Sequence, residues 1–99
     1  MPEDTLTVVA LLKVDKDKIA ALKKELGELQ RKTRLEKGCI AYDLHQSMDD
    51  ESVFMFYEIW KSKPDLEKHM HSTHFQAWSK KEKEFVRGPA QILMMKKVS

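Results

Sequence analysis

Ninety-nine residues are enough for one domain, and a chain with 41% hydrophobic and 34% charged side chains has a globular rather than a disordered balance. Its 18 basic residues are interleaved with 16 acidic ones, as in Lys80-Lys81-Glu82-Lys83-Glu84, and the net charge of +2 argues against a nucleic-acid surface. The longest apolar run, residues 8–12, is too short to cross a bilayer, and Met1-Pro2-Glu3-Asp4 has no basic-then-apolar leader pattern. The expectation is one domain over residues 1–99, cytoplasmic, with no membrane contact.

Residues 5–14, TLTVVALLKV, are rich in β-branched residues and leucine with no helical gap, as in a strand covered on both faces. Asp15 offers an N-cap, and Ile19, Leu22, Leu26, Leu29 and Thr33 then recur at helical spacing, with Gly38 as the expected stop. Residues 39–47 and 52–61 are two further strand candidates around the polar turn Met48-Asp49-Asp50-Glu51.

The third strand separates its side chains into two faces. Val53, Met55, Tyr57 and Ile59 lie on one, and Phe54, Phe56, Glu58 and Trp60 on the other. Both are large and apolar, yet one layer of helices covers only one face, so a second copy of the chain is expected on the other. Ser62-Lys63-Pro64 starts a short helix through Leu66 and Met70 that breaks near His71-Ser72. Ser72 caps a second helix with Phe75, Trp78, Phe85 and Val86 on its apolar side, and Gly88-Pro89 stops it before a last strand over residues 90–98. The order βαββαβ predicts an α+β, ferredoxin-like fold: a four-stranded antiparallel sheet with helices on one side.

No metal-ligand motif, phosphate loop or serine-nucleophile elbow is present, and Cys39, the only cysteine, forms neither a disulfide nor a cysteine metal cluster. No metal or other cofactor is therefore expected. The polar side chains that lean toward one cavity are Glu58, beside Trp60, and His69, His71 and His74 around the helix break. Glu58 among aromatic neighbours needs a partner if ionised. His71 is expected at the surface, and Cys39 in the core rather than as a nucleophile.

Glu58-Ile59-Trp60, Leu66-Glu67-Lys68-His69, Ser72-Thr73-His74-Phe75 and Trp78, with the upstream Glu36-Lys37-Gly38-Cys39-Ile40-Ala41-Tyr42, resemble the signature of the antibiotic biosynthesis monooxygenase domain family over nearly the whole chain. The resemblance implies a dimeric α/β barrel and, in its oxygenases, chemistry without flavin, metal or haem. A phenol or quinol is deprotonated there and supplies the electron to molecular oxygen itself. It makes His74, His69 and Glu58 the candidate catalytic residues, and Trp60, Tyr42, Phe56, Phe75 and Trp78 the candidate substrate-binding ones. Trp60 has core packing as its alternative, and Tyr42 either donates to substrate or packs. Two other readings stand beside this one. The family's autoinducer-processing isomerase branch would need a cationic clamp, for which Arg87 is the candidate by its place before Gly88. The other is a non-catalytic small-molecule-binding dimer. The haem-degrading branch is disfavoured, because the resemblance puts Trp78 where that branch carries its axial histidine.

Overall fold

The computed structural model describes residues 5–99; residues 1–4, read above for a leader, lie outside them. The chain runs β1 (Leu6–Lys13), α1 (Ile19–Thr33), β2 (Cys39–Gln46), β3 (Val53–Trp60), α2 (Lys63–Met70), α3 (Thr73–Phe85) and β4 (Gln91–Met95). The strands form one antiparallel sheet in the order β2-β3-β1-β4, which is the ferredoxin-like arrangement.

Alternation does most of the positioning. In β1, Val8, Ala10 and Leu12 are buried, and their cross-strand partners on β3 are Glu58, Phe56 and Phe54. Leu22, Leu26 and Leu29, at helical spacing on α1, join this core with Trp60, Tyr42, Leu66 and Trp78. Each full burial of such a side chain contributes about 1.5–3 kcal/mol. The opposite sheet face carries Val53, Met55 and Ile59, half-buried, and the exposed Tyr57. Within the single chain, β1 is therefore well covered on one face only.

Four local expectations are corrected. Asp15 makes no side-chain cap; a short 3-10 turn over Lys16–Lys18 precedes α1, and the Asp15 carboxylate instead pairs with Arg87 at 2.9 Å. Helix α1 ends at Thr33 rather than at Gly38, because Arg34 turns its guanidinium onto β2, donating to the Tyr42 carbonyl at 3.1 Å and the Asp43 carboxylate at 2.7 Å. Gly38 is needed for a different reason: a Cβ there would lie 2.3 Å from Cβ of Asp65. The last strand stops at Met95 rather than at residue 98, since its ladder with β1 ends at the Thr7–Met95 pair, one residue after β1 begins. Val86 lies outside α3 and bridges to Val14. Gly88, at φ 73°, takes the left-handed turn before β4 that glycine tolerates without strain.

Candidate functional site

The break between α2 and α3 builds the site. Ser62 caps α2 by accepting from the Asp65 N–H, with Pro64 in the first turn. The helix runs two turns and stops at His71. Ser72 then restarts the chain as the cap of α3, accepting from the Phe75 N–H while its own hydroxyl donates to the His69 carbonyl at 2.6 Å. This reversal brings His69, in the last turn of α2, beside His74, in the first turn of α3, with ring centroids 5.9 Å apart.

Both histidines reach a residue absent from the candidate list. Nδ1 of His69 and Nε2 of His74 each lie 2.7 Å from the same oxygen, Oε2 of Glu36, in the segment between α1 and β2. Glu36 is fixed by its backbone: its N–H donates to the Thr33 carbonyl, and its carbonyl accepts from the Cys39 N–H. An ionised carboxylate only accepts, so the N–H groups belong to the histidines. That assignment leaves His69 Nε2 with a free lone pair. The His69 side chain is 2% exposed, and burial holds its pKa below the ordinary imidazole value despite the Glu36 contact, so it is neutral at pH 7.

Between the sheet and the α2–α3 break lies a cavity of about 110 Å³, lined by Val8, Glu58, Leu66, His69, Met70, Phe75, Ile92 and Met94. Among the described residues, Glu58 and His69 are its titratable lining groups. Glu58, 6% exposed, accepts a hydrogen bond at 2.9 Å from Nε1 of Trp60. Burial nevertheless dominates and, with the charge of Glu36, pushes its pKa up to about 7. The cavity opens past Met70, Ile92 and Met94, all exposed apolar side chains. Ile92 and Met94 stand opposite Ala10 and Val8 and so share their face of the sheet.

The other candidates fall into three groups. Phe75 is on the cavity wall, packed 4.9 Å from the His69 ring. Trp60, Tyr42 and Phe56 do not line it; they form the layer behind. Tyr42 packs 4.5 Å from Phe56, and Trp60 4.7 Å from His69. Burial raises the Tyr42 phenol well above its usual range, so it stays protonated. His74 and Trp78 face a separate groove with Glu25, Glu28, Lys32 and Lys81. His71 is exposed and accounted for by the Glu67 carbonyl, 2.8 Å from its Nδ1. Burial and the Glu36 and Glu58 charges push the Cys39 thiol up to about 11, far from a reactive thiolate. Glu36 was visible in the E-x-G-C-x-x-Y stretch, but nothing in the order of residues pairs it with histidines 33 and 38 positions later.

Comparison with known proteins places the chain. The sequence pattern of the family described as antibiotic biosynthesis monooxygenase matches residues 5–81. An uncharacterised Synechocystis protein, sll1783, is 28% identical over 98 residues, covering 95% of this chain; the chain spans 64% of that relative's length. Rv0793 of Mycobacterium tuberculosis, provisionally named a monooxygenase, is 28% identical over 90 residues, 91% of this chain and 88% of its own. Its solved structure superposes with a TM-score of 0.91 over 97% of both chains. PA3566 of Pseudomonas aeruginosa superposes with a TM-score of 0.90 at 29% identity, over 97% of this chain and 96% of its own. The chain belongs to the antibiotic biosynthesis monooxygenase domain family.

Proposed function

We propose that the protein is a cofactor-independent monooxygenase of a quinol or related small aromatic, acting as one cytoplasmic domain and as a homodimer. The observation that carries the reading is the cavity that Glu58 and His69 share with apolar and aromatic walls. Glu36 orients the His69 ring through Nδ1 and leaves Nε2 to accept the phenolic proton. Glu58, with a pKa near neutrality, either donates a hydrogen bond to the phenolate oxygen or carries a proton onward. His74 acts through Glu36, holding the carboxylate from the side away from the cavity. The phenolate gives an electron to molecular oxygen. One oxygen atom then replaces two hydrogens of the substrate, and the other leaves as water.

Size favours a small ring system. A cavity of about 150 Å³ holds benzene, so about 110 Å³ with an open mouth suits one ring, or the leading ring of a larger substrate. The isomerase reading is weaker on a specific point: among the described residues no cationic side chain lines the cavity, and Arg87 is paired with Asp15.

The test is oxygen uptake against a panel of quinols and naphthols with chelator present. Turnover is expected, and His69→Ala or Glu58→Gln should lower kcat by roughly 10²–10⁴-fold. Ligand binding without uptake across the whole panel would favour the non-catalytic dimer instead.

A further inference from the structure

The cluster behind the cavity has a second chemistry. Two imidazole nitrogens and one carboxylate oxygen converge within 4.8 Å of one another, from the segment after α1, the end of α2 and the start of α3. We propose that Glu36, His69 and His74 form a binding site for one first-row divalent transition-metal ion. The donor set selects the class: imidazole nitrogens suit zinc, cobalt, nickel, copper and iron, whereas magnesium and calcium prefer oxygen ligands alone. Three protein ligands leave coordination positions open for water or an added ligand.

The geometry needs a modest adjustment. Both nitrogens now stand 2.7 Å from Oε2. Metal–ligand bonds of about 2.0–2.2 Å at tetrahedral angles would set the donors roughly 3.3–3.6 Å apart, an opening of under about 1 Å for each N···O pair, with the two nitrogens already within 4.8 Å of one another. His69 cannot supply it, because its ring is wedged against Trp60, Tyr42 and Phe75 at centroid distances of 4.7, 5.3 and 4.9 Å. His74, half-buried at the start of α3, can. The ion would occupy the place where two N–H protons now converge on one oxygen. For His69 that proton moves to the far nitrogen of the neutral ring, so this ring neither gains nor loses a proton on ligation.

That shift has a consequence resting on the oxygenase reading. With Nδ1 ligated, the His69 proton sits on Nε2, and the nitrogen facing the substrate becomes a donor instead of a base. The metal would thus inhibit the enzyme.

The experiment is titration of chelator-treated protein with Co²⁺, read by visible absorption and by metal per chain after dialysis. One Co²⁺ per chain with ligand-field bands is expected. His74→Ala and Glu36→Gln, checked for folding by circular dichroism, should each weaken binding by more than about 100-fold, beyond the loss of an outer partner alone. His45→Ala, an exposed histidine elsewhere, should leave it unchanged. Absent bands, or bands that persist in both cluster variants, overturn the site. Separately, one equivalent of Zn²⁺ should suppress oxygen uptake by roughly 10²-fold. Co²⁺ binding in a protein without turnover would sink the oxygenase reading and keep the site; turnover indifferent to bound Zn²⁺ would sink the inhibition alone.

Discussion

Glu58 has an acidity that its surroundings set, and the sign of its effect on stability follows. Its carboxyl goes from an ordinary value of 4.5 to about 7 on folding, chiefly through burial. Below about pH 4.5 the group is protonated in both states and folding carries no penalty from it. Between 4.5 and 7 the unfolded chain ionises while the folded chain holds its proton, so stability falls as pH rises. At 1.36 kcal/mol per pKa unit, the loss by pH 8 is about 3 kcal/mol. Thermal unfolding from pH 5 to 8 should show this decline in the wild type and little of it in Glu58→Gln, which should be the more stable protein at pH 8. Parallel curves would mean that Glu58 is solvated or paired. Alternation along SVFMFYEIWK was enough to place Glu58 and Trp60 on one buried face. The partner of the histidines was not legible in this way. Glu36 sits in an irregular segment with no period to aim its side chain, and His69 and His74 lie on two short helices whose mutual angle depends on tertiary packing.

Helix boundaries depend on similar contests between local signal and neighbours. Ser62 and Ser72 act as the caps the sequence announces, because each side chain accepts from the N–H three residues on. Replacing Ser72 by Ala should cost about 1 kcal/mol and should also lower activity, since the same hydroxyl ties α3 to the His69 carbonyl. Asp15 and Gly38 have the right residue types, but an ion pair with Arg87 and close packing by Asp65 decide their roles. Two glycines should consequently respond in opposite directions. Gly27, inside α1 with nothing within 4 Å of an added Cβ, should become more stable by roughly 0.5–1 kcal/mol as Gly27→Ala. Gly38→Ala forces Cβ against Asp65 and should cost about 1–3 kcal/mol. Denaturant midpoints for the two variants check the pair; equal shifts would show that Asp65 moves aside freely.

At the scale of the whole molecule, the sheet has a face that its own helices do not reach. Cross-strand register gathers Val9, Tyr57 and Leu93 into one row and Thr7, Ile59 and Met95 into the next, with Leu11 beside Met55. Tyr57, Leu93 and Met95 are exposed in the single chain. Contiguous apolar surface of this kind is uncommon on stable monomers, and a chain this short gains from burying it. Strand β4 adds a second reason, because it is an edge strand that exposes Leu93 and Met95 on this same face, the type of edge that pairs or aggregates when uncovered. A second copy laid face to face would cover this face, Leu93 and Met95 included, while Ile92 and Met94 stay on the cavity side of the sheet. Met55 sits near the middle of this face, half-buried already. Met55→Asp would place a charge without a partner in the proposed interface, at a cost of several kcal/mol. Sedimentation at micromolar concentration should find two chains together in the wild type and separate or largely unfolded chains in the variant. The wild-type melting temperature should also rise with protein concentration, as mass action requires for a folded dimer. A monodisperse wild-type monomer with a concentration-independent melting temperature would remove the dimer and leave the apolar face unexplained.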